Sequence, residues 1–153
     1  MYDNTIRGIK LETHETKDIS DKRVNGKLTV IWRDWDKILD YQPKMVYISS
    51  VNPNETKGPH IHTKRTSHFV CIEGKVIFIV KDNEGNYNEI ESSEEEPVLV
   101  RIPKNIPSAH INLSSKTSTI LALADISWRP NDNEMKNTMF DDYNWEKWNL
   151  DTN

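Results

Sequence analysis

The sequence predicts an all-β protein, a sandwich or barrel of short strands. Three observations carry this. Runs rich in β-branched and aromatic residues recur along the chain, turn-forming residues separate them, and nothing reads as a long amphipathic helix. In order, the runs are 27–32 (KLTVIW), 44–51 (KMVYISSV), 68–72 (HFVCI), 75–80 (KVIFIV), 86–92 (NYNEIES), 97–102 (PVLVRI), 109–113 (AHINL) and 117–124 (TSTILALA). Asn25-Gly26, Asn52-Pro53-Asn54, Glu73-Gly74, Asn83-Glu84-Gly85 and Pro103-Lys104-Asn105 punctuate them. Glycine and asparagine tolerate positive φ and proline presets a turn, so each break has a mechanism. Residues 57–62, KGPHIH, read as a further strand entered through the tight Lys57-Gly58-Pro59. The stretch 33–41 (RDWDKILDY) fits one helical turn or two, and ESSEEE (91–96) a solvated loop. From Trp128 onward Asn, Asp and Trp replace the β-branched residues. A polar tail that keeps Trp128, Trp145 and Trp148 is expected to pack over the barrel by its aromatics, irregular in structure and frayed at its last few residues.

The 153 residues suit one domain, 1–153, with a sizeable core. A net charge of −4 with acids and bases interspersed leaves no basic block, which argues against nucleic acid or an anionic membrane as partner. The lone cysteine, Cys71, sits between Val70 and Ile72 and reads as a small buried hydrophobe. The opening MYDNTIRGIKLETHET has no apolar stretch of the signal-peptide kind, and no apolar run approaches the ~18 residues of a membrane span. A cytoplasmic protein is the expectation.

Three of the five histidines, His60, His62 and His68, fall within nine positions. In a strand, residues two apart share a face, so His60 and His62 project together with Ile61 opposite. If His68 opens the next strand it returns to the same interior, with Phe69 facing away. By the same rule Ser108, His110 and Asn112 share a face. Four histidines are thus expected in one cavity, while His14, in a polar stretch, is expected to be exposed. Packing, metal binding and proton transfer all remain open to such a cluster, since a neutral imidazole with pKa near 6.5 serves as ligand or base.

The Gly-x-His-x-His strand, the glycine that follows one strand later and the Ile-Pro turn before a polar strand resemble the two motifs of the cupin jelly roll. The closer resemblance is to the sugar-nucleotide branch, dTDP-4-dehydrorhamnose 3,5-epimerase and its relatives. KGPHIH, SHFV and GKVIFIVKD follow its order, and SWRPNDNE…FDDYNW resembles its C-terminal run. The similarity spans roughly residues 26 to 148. It implies a cupin-type jelly-roll barrel closed by an irregular aromatic tail, a homodimer, and an epimerase or isomerase of a nucleotide-activated 4-keto sugar in surface polysaccharide or glycoside biosynthesis. His60 falls at that family's catalytic base. His68 falls on its lysine, the cation that stabilises the enolate oxygen, and Lys57 on an arginine that contacts the diphosphate. Tyr47, Ser108, His110, Arg101 and Trp128 complete the expected substrate-binding set.

Two departures stand out. The family's tyrosine acid falls on Ala122, which cannot move a proton, and the sequence ends before the far C-terminal aspartate that orients the family's histidine; Tyr47 is a candidate substitute for the acid. KGPHIHTK also resembles, nearly residue for residue, the Arg-Gly-x-His-Ala-His-Lys of sugar 3,4-ketoisomerases, and IPKNIPSAHINLSS resembles their later stretch. That branch implies that His60 and His62 shuttle protons through an enediol. A cupin metal site needs a carboxylate where this chain has Thr66 and Ser67, so no metal and no cofactor are expected. A non-catalytic or metal-binding cupin that binds a sugar nucleotide is the remaining alternative.

Overall fold

The computed structural model describes residues 3–148. It contains β1 (Arg7–Lys10), β2 (Thr13–Lys17), β3 (Val24–Thr29), β4 (Met45–Val51), β5 (Thr56–His62), β6 (Ser67–Glu73), β7 (Lys75–Lys81), β8 (Tyr87–Ser93), β9 (Val98–Ile102), β10 (Ser108–Ile111), β11 (Ser118–Ala124) and β12 (Met135–Asn137). A single 3-10 turn at Trp145–Trp148 is the only helical element among the described residues. One sheet runs β1-β9-β6-β11-β4 and the other β12-β5-β10-β7-β8, while β2 and β3 pair only with each other. The pairing is antiparallel throughout.

The two sheets face one another across an apolar interior, as expected of a cupin-type jelly roll. Val51, Cys71, Val100 and Ile120 from the first sheet meet Val76, Phe78 and Val80 from the second. Residues 76–80, VIFIV, are apolar at every position because β7 is covered on both sides. Val76, Phe78 and Val80 point inward, while Ile77 and Ile79 point outward beneath the tail. Strand β4 shows the opposite pattern. As an edge strand with one solvated face it alternates, leaving Val46 and Ile48 exposed and turning Tyr47 and Ser49 inward. Cys71 is fully buried, and burial pushes its thiol up to about 11.

Several local expectations needed correction. Residues 33–41 form no helix. Their Ile38, Leu39 and Tyr41 instead cover the outer face of the first sheet at Val70, Leu99 and Leu123, and hydrophobic burial outweighs the weak propensity of so short a segment. Glu91–Ser93 completes β8 rather than opening a loop. Ser92 is buried there, its Oγ accepting the backbone N–H of Cys71 (3.0 Å) and of Val98 (3.1 Å). Strands β1 and β2 were not anticipated, because sequences such as THETK carry no apolar alternation.

In the tail, Phe140, Tyr143, Trp145 and Trp148 pack over Ile77, Ile79, Ala109 and Ile111, as expected of an aromatic cover. The tail is not wholly irregular, since β12 adds an edge strand to the second sheet beside β5. Trp128 does not join the cover. It is 56% exposed, beyond the end of β11. The last residues, expected to fray, lie outside the described span. No helix among the described residues is long and apolar enough to cross a membrane.

Candidate functional site

Between the sheets opens a cavity of about 290 Å³. Strand β5 lends it Lys57, His60 and His62, β10 lends Ser108 and His110, and β4 lends Tyr47 from the facing sheet. Simple alternation would send Lys57 outward if His60 and His62 point in. A bulge resolves this. Ser108 pairs with His60 but His110 pairs with Lys57, so three steps on β5 oppose two on β10. Gly58 makes the bulge possible. Its φ is +92°, and a Cβ there would stand 2.8 Å from the Ser108 carbonyl oxygen.

Each cavity histidine of β5 is held by a side chain from the tail, a feature that sequence reading missed. The Asn137 side-chain oxygen lies 3.0 Å from His60 Nδ1, because β12 sets Asn137 directly across from His60. An amide oxygen only accepts, so Nδ1 carries the proton and Nε2 keeps its lone pair. Both oxygens of Glu134 lie 3.1 Å from His62 Nδ1, and Arg65 Nη2 stands 2.9 Å from that Nδ1 and 3.3 Å from Nε2. Glu134 is buried at 3% exposure and also accepts from Arg65 Nη2 at 3.1 Å. Burial lowers the His62 pKa, the Arg65 guanidinium lowers it further, and Glu134 works in the opposite direction. Tyr47 is raised by burial, with Arg65 opposing. Its ring lies 5.6 Å from the Arg65 guanidinium.

His110 is the deepest of the group. Burial, with Lys57 and His60 adding repulsion, pushes it down to about 3, and its Nε2 has no hydrogen-bond partner among the described residues. Lys57 is exposed and donates to Ser49 Oγ at 2.8 Å.

Three expected site residues are not brought to this cavity. His68 points to the opposite face of β6. Its Nδ1 meets Tyr41 Oη at 2.7 Å, and Tyr41 in turn donates to the Leu123 carbonyl at 3.0 Å. The turn at 63–66 sets the parity of β6 so that Phe69 and Cys71 face inward, reversing the orientations expected of His68 and Phe69. Arg101 stands across from His68 on that outer face. Its guanidinium is spent on the Asp40 carboxylate (2.7 and 3.1 Å) and the backbone oxygens of Thr5 and Asp3. Trp128 is likewise outside, its backbone N–H meeting Met45 Sδ. Asn112 is structural, its amide bridging the carbonyls of Val51 and Lys116. His14 is exposed beside Glu12.

Among the described residues no three His, Cys, Asp or Glu side chains converge as metal ligands do. Purified protein is expected to hold no stoichiometric transition metal. About one Zn, Fe, Mn or Ni per chain by elemental analysis, removable with loss of activity, would reverse that expectation.

A second expectation concerns pH. Burial holds His68 at about 4 and His110 at about 3. Below the unfolded value near 6.5, the unfolded chain therefore binds protons that the folded chain refuses. Stability is full above that pH and falls as the solution is acidified toward pH ~4, each histidine approaching about 1.4 kcal/mol per pH unit. In urea unfolding, His68→Asn should show a shallower loss between about pH 6.5 and 5 than wild type. Equal slopes would mean that His68 titrates normally in the fold.

Residues 9–145 match the FdtA family, described as WxcM-like, C-terminal. The chain belongs to that family. No curated protein matches it. Among solved structures, a dTDP sugar isomerase from Desulfovibrio desulfuricans G20 superposes with a TM-score of 0.74 at 17% identity, over 89% of this chain and 85% of its own. A 3,4-ketoisomerase from Helicobacter canadensis gives 0.66 at 17% identity, over 94% and 93%. ChmJ, a 3'-monoepimerase from Streptomyces bikiniensis solved with dTDP-quinovose, gives 0.70 at 13% identity, over 90% and 70%. At these identities the likeness carries the fold, and this FdtA-family chain shares it with sugar-nucleotide isomerases and epimerases alike.

Proposed function

We propose that this FdtA-family protein isomerises a nucleotide-activated 4-keto sugar by histidine-mediated proton abstraction, in the cytoplasm, on the way to a surface polysaccharide or glycoside. One observation carries the reading. His60 and His62 open side by side onto the cavity, and Asn137 leaves a lone pair on His60 Nε2. Hydrogens beside a ketone are acidic enough for an imidazole to remove. Two imidazoles on one wall suit a transfer between neighbouring carbons on one face of the sugar, the 3,4-ketoisomerase mode. Lys57, exposed at the same cavity, suits the diphosphate, and the half-buried Ser108 and His110 suit the sugar hydroxyls.

A specific observation supports epimerisation as a second reading. Tyr47 pairs directly across from Ala122, so its side chain rises from the same face of the sheet as a tyrosine at 122 would. It looks across the cavity toward β5 and offers an acid on the far side of the sugar. The test is to incubate the protein with a dTDP-linked 4-keto-6-deoxy sugar in D₂O and follow it by NMR. A 3-keto product supports the first mode, and an inverted stereocentre with the ketone unmoved supports the second. Binding without proton exchange would favour a sugar-nucleotide binding module over either.

The working form is proposed to be a homodimer. The β2–β3 hairpin hydrogen-bonds to neither sheet and leaves Ile19, Val24 and Leu28 at 90%, 53% and 50% exposure. An isolated two-stranded hairpin is marginal in water, and a second copy would cover it. Sedimentation at micromolar concentration giving a monomer mass would refute this.

A further inference from the structure

Removing a proton beside a ketone moves the electron pair toward the carbonyl oxygen, and a fixed donor at that oxygen lowers the barrier. His68, on the position of the related enzymes' cation, is on the wrong face of β6 to serve. Two cations do line the cavity, and they differ in setting. Lys57 is exposed and already donates to Ser49. Arg65 has a side chain only 9% exposed.

We propose that Arg65 is the oxyanion-binding cation of this site, an inference that rests on the sugar-isomerase reading. The C–H bond beside the ketone breaks and its proton passes to His60 Nε2. The C–H electron pair becomes the carbon–carbon double bond of the enolate, and the carbonyl π pair moves to oxygen, where the guanidinium donates to it. In ketoisomerisation the oxyanion then takes a proton to give the enediol, the neighbouring hydroxyl gives up its proton as its oxygen becomes the new carbonyl, and the abstracted proton is delivered to the former carbonyl carbon, with no external reactant.

Three features fit Arg65 to the task. Its contacts with Glu134 and His62 all use Nη2, and Nε has no hydrogen-bond partner among the described residues. A guanidinium presents five N–H donors in a planar fork, so one pinned corner orients the rest. Glu134 does the pinning from the tail and the Tyr47 ring lies against the plane, so little reorganisation is needed when charge develops. Finally, Arg65 lies in the 63–66 turn that immediately follows β5, and its Nη2 stands 2.9 Å from His62 Nδ1, beside the paired imidazoles.

The test uses Arg65→Gln, with Arg65→Gln/Glu134→Gln as a second variant that leaves no unpaired buried charge if the first is poorly folded. Deuterium wash-in beside the ketone and product formation are measured with a dTDP-linked 4-keto-6-deoxy sugar. Both variants should lose ~10²–10³-fold in kcat, as for removal of one oxyanion donor, with KM changed only a few-fold. Arg65→Lys, which restores charge without the fork, should recover part of the loss. If wild type exchanges protons and the variants match it, Arg65 is not the oxyanion group. A loss confined to KM would make Arg65 a ground-state contact and also overturn the assignment. If wild type itself exchanges nothing while binding the nucleotide sugar, the isomerase reading fails, and this assignment fails with it.

Discussion

His60→Asn should slow deuterium wash-in at the carbon beside the ketone by ~10²–10⁴-fold, the usual worth of a positioned base, while nucleotide affinity stays close to normal. Asparagine at 60 retains an N–H near the position of Nδ1 and so keeps a partner for Asn137, which lies 3.0 Å away. What it removes is the Nε2 lone pair. Neighbouring variants then divide the two chemistries. An enediol shuttle uses both imidazoles, so His62→Asn should lose as much again and Tyr47→Phe little. An epimerase that draws its second proton from across the cavity should show the reverse. Both outcomes are read from one NMR assay, with binding of dTDP checked by calorimetry. A His60→Asn protein that exchanges as fast as wild type would remove His60 from the mechanism.

The shared face of His60 and His62 on β5 was legible in the sequence because period-two alternation follows directly from the pleat. That alternation correctly turned both toward one cavity, and the turn residues placed most strand boundaries within a few positions. The same rule failed at His68. Whether a residue faces in or out depends on the number of residues in the preceding turn, and one residue reverses a whole strand. Nothing in HTKRTSH announces whether its turn preserves or inverts the parity. The bulge at Gly58 is a half-visible case. Gly-Pro signals irregularity, but the gain of Lys57 on the inner face appears only once β10 is laid against β5. Glu134, Asn137 and Arg65 were not legible as site residues. Glu134 and Asn137 lie more than 70 positions beyond the histidines they hold, in a stretch whose composition reads as a polar loop. Their roles follow from β12 pairing with the free edge of β5, a long-range contact that no local pattern specifies.

Glu134→Ala should destabilise the fold by about 3–5 kcal/mol, the usual cost of stranding one partner of a buried ion pair. Its carboxylate is 3% exposed and lies 3.1 Å from both Arg65 Nη2 and His62 Nδ1. Alanine leaves the guanidinium in the cavity wall without its counter-charge. Glu134→Gln keeps the shape and an acceptor oxygen, should cost less in urea unfolding, and is the variant in which activity can be read. There the direction of the pH response is the informative quantity. Glu134 raises the His62 pKa against burial and Arg65, which lower it. Loss of the carboxylate charge therefore lowers that pKa further, and His62 remains neutral to a more acidic pH. If His62 must be neutral to accept a proton, the acid limb of the exchange rate should move to lower pH in Glu134→Gln even as the maximal rate falls. A limb that stays in place, in a variant that still folds and turns over, would mean that the ionisation limiting activity belongs to a group other than His62.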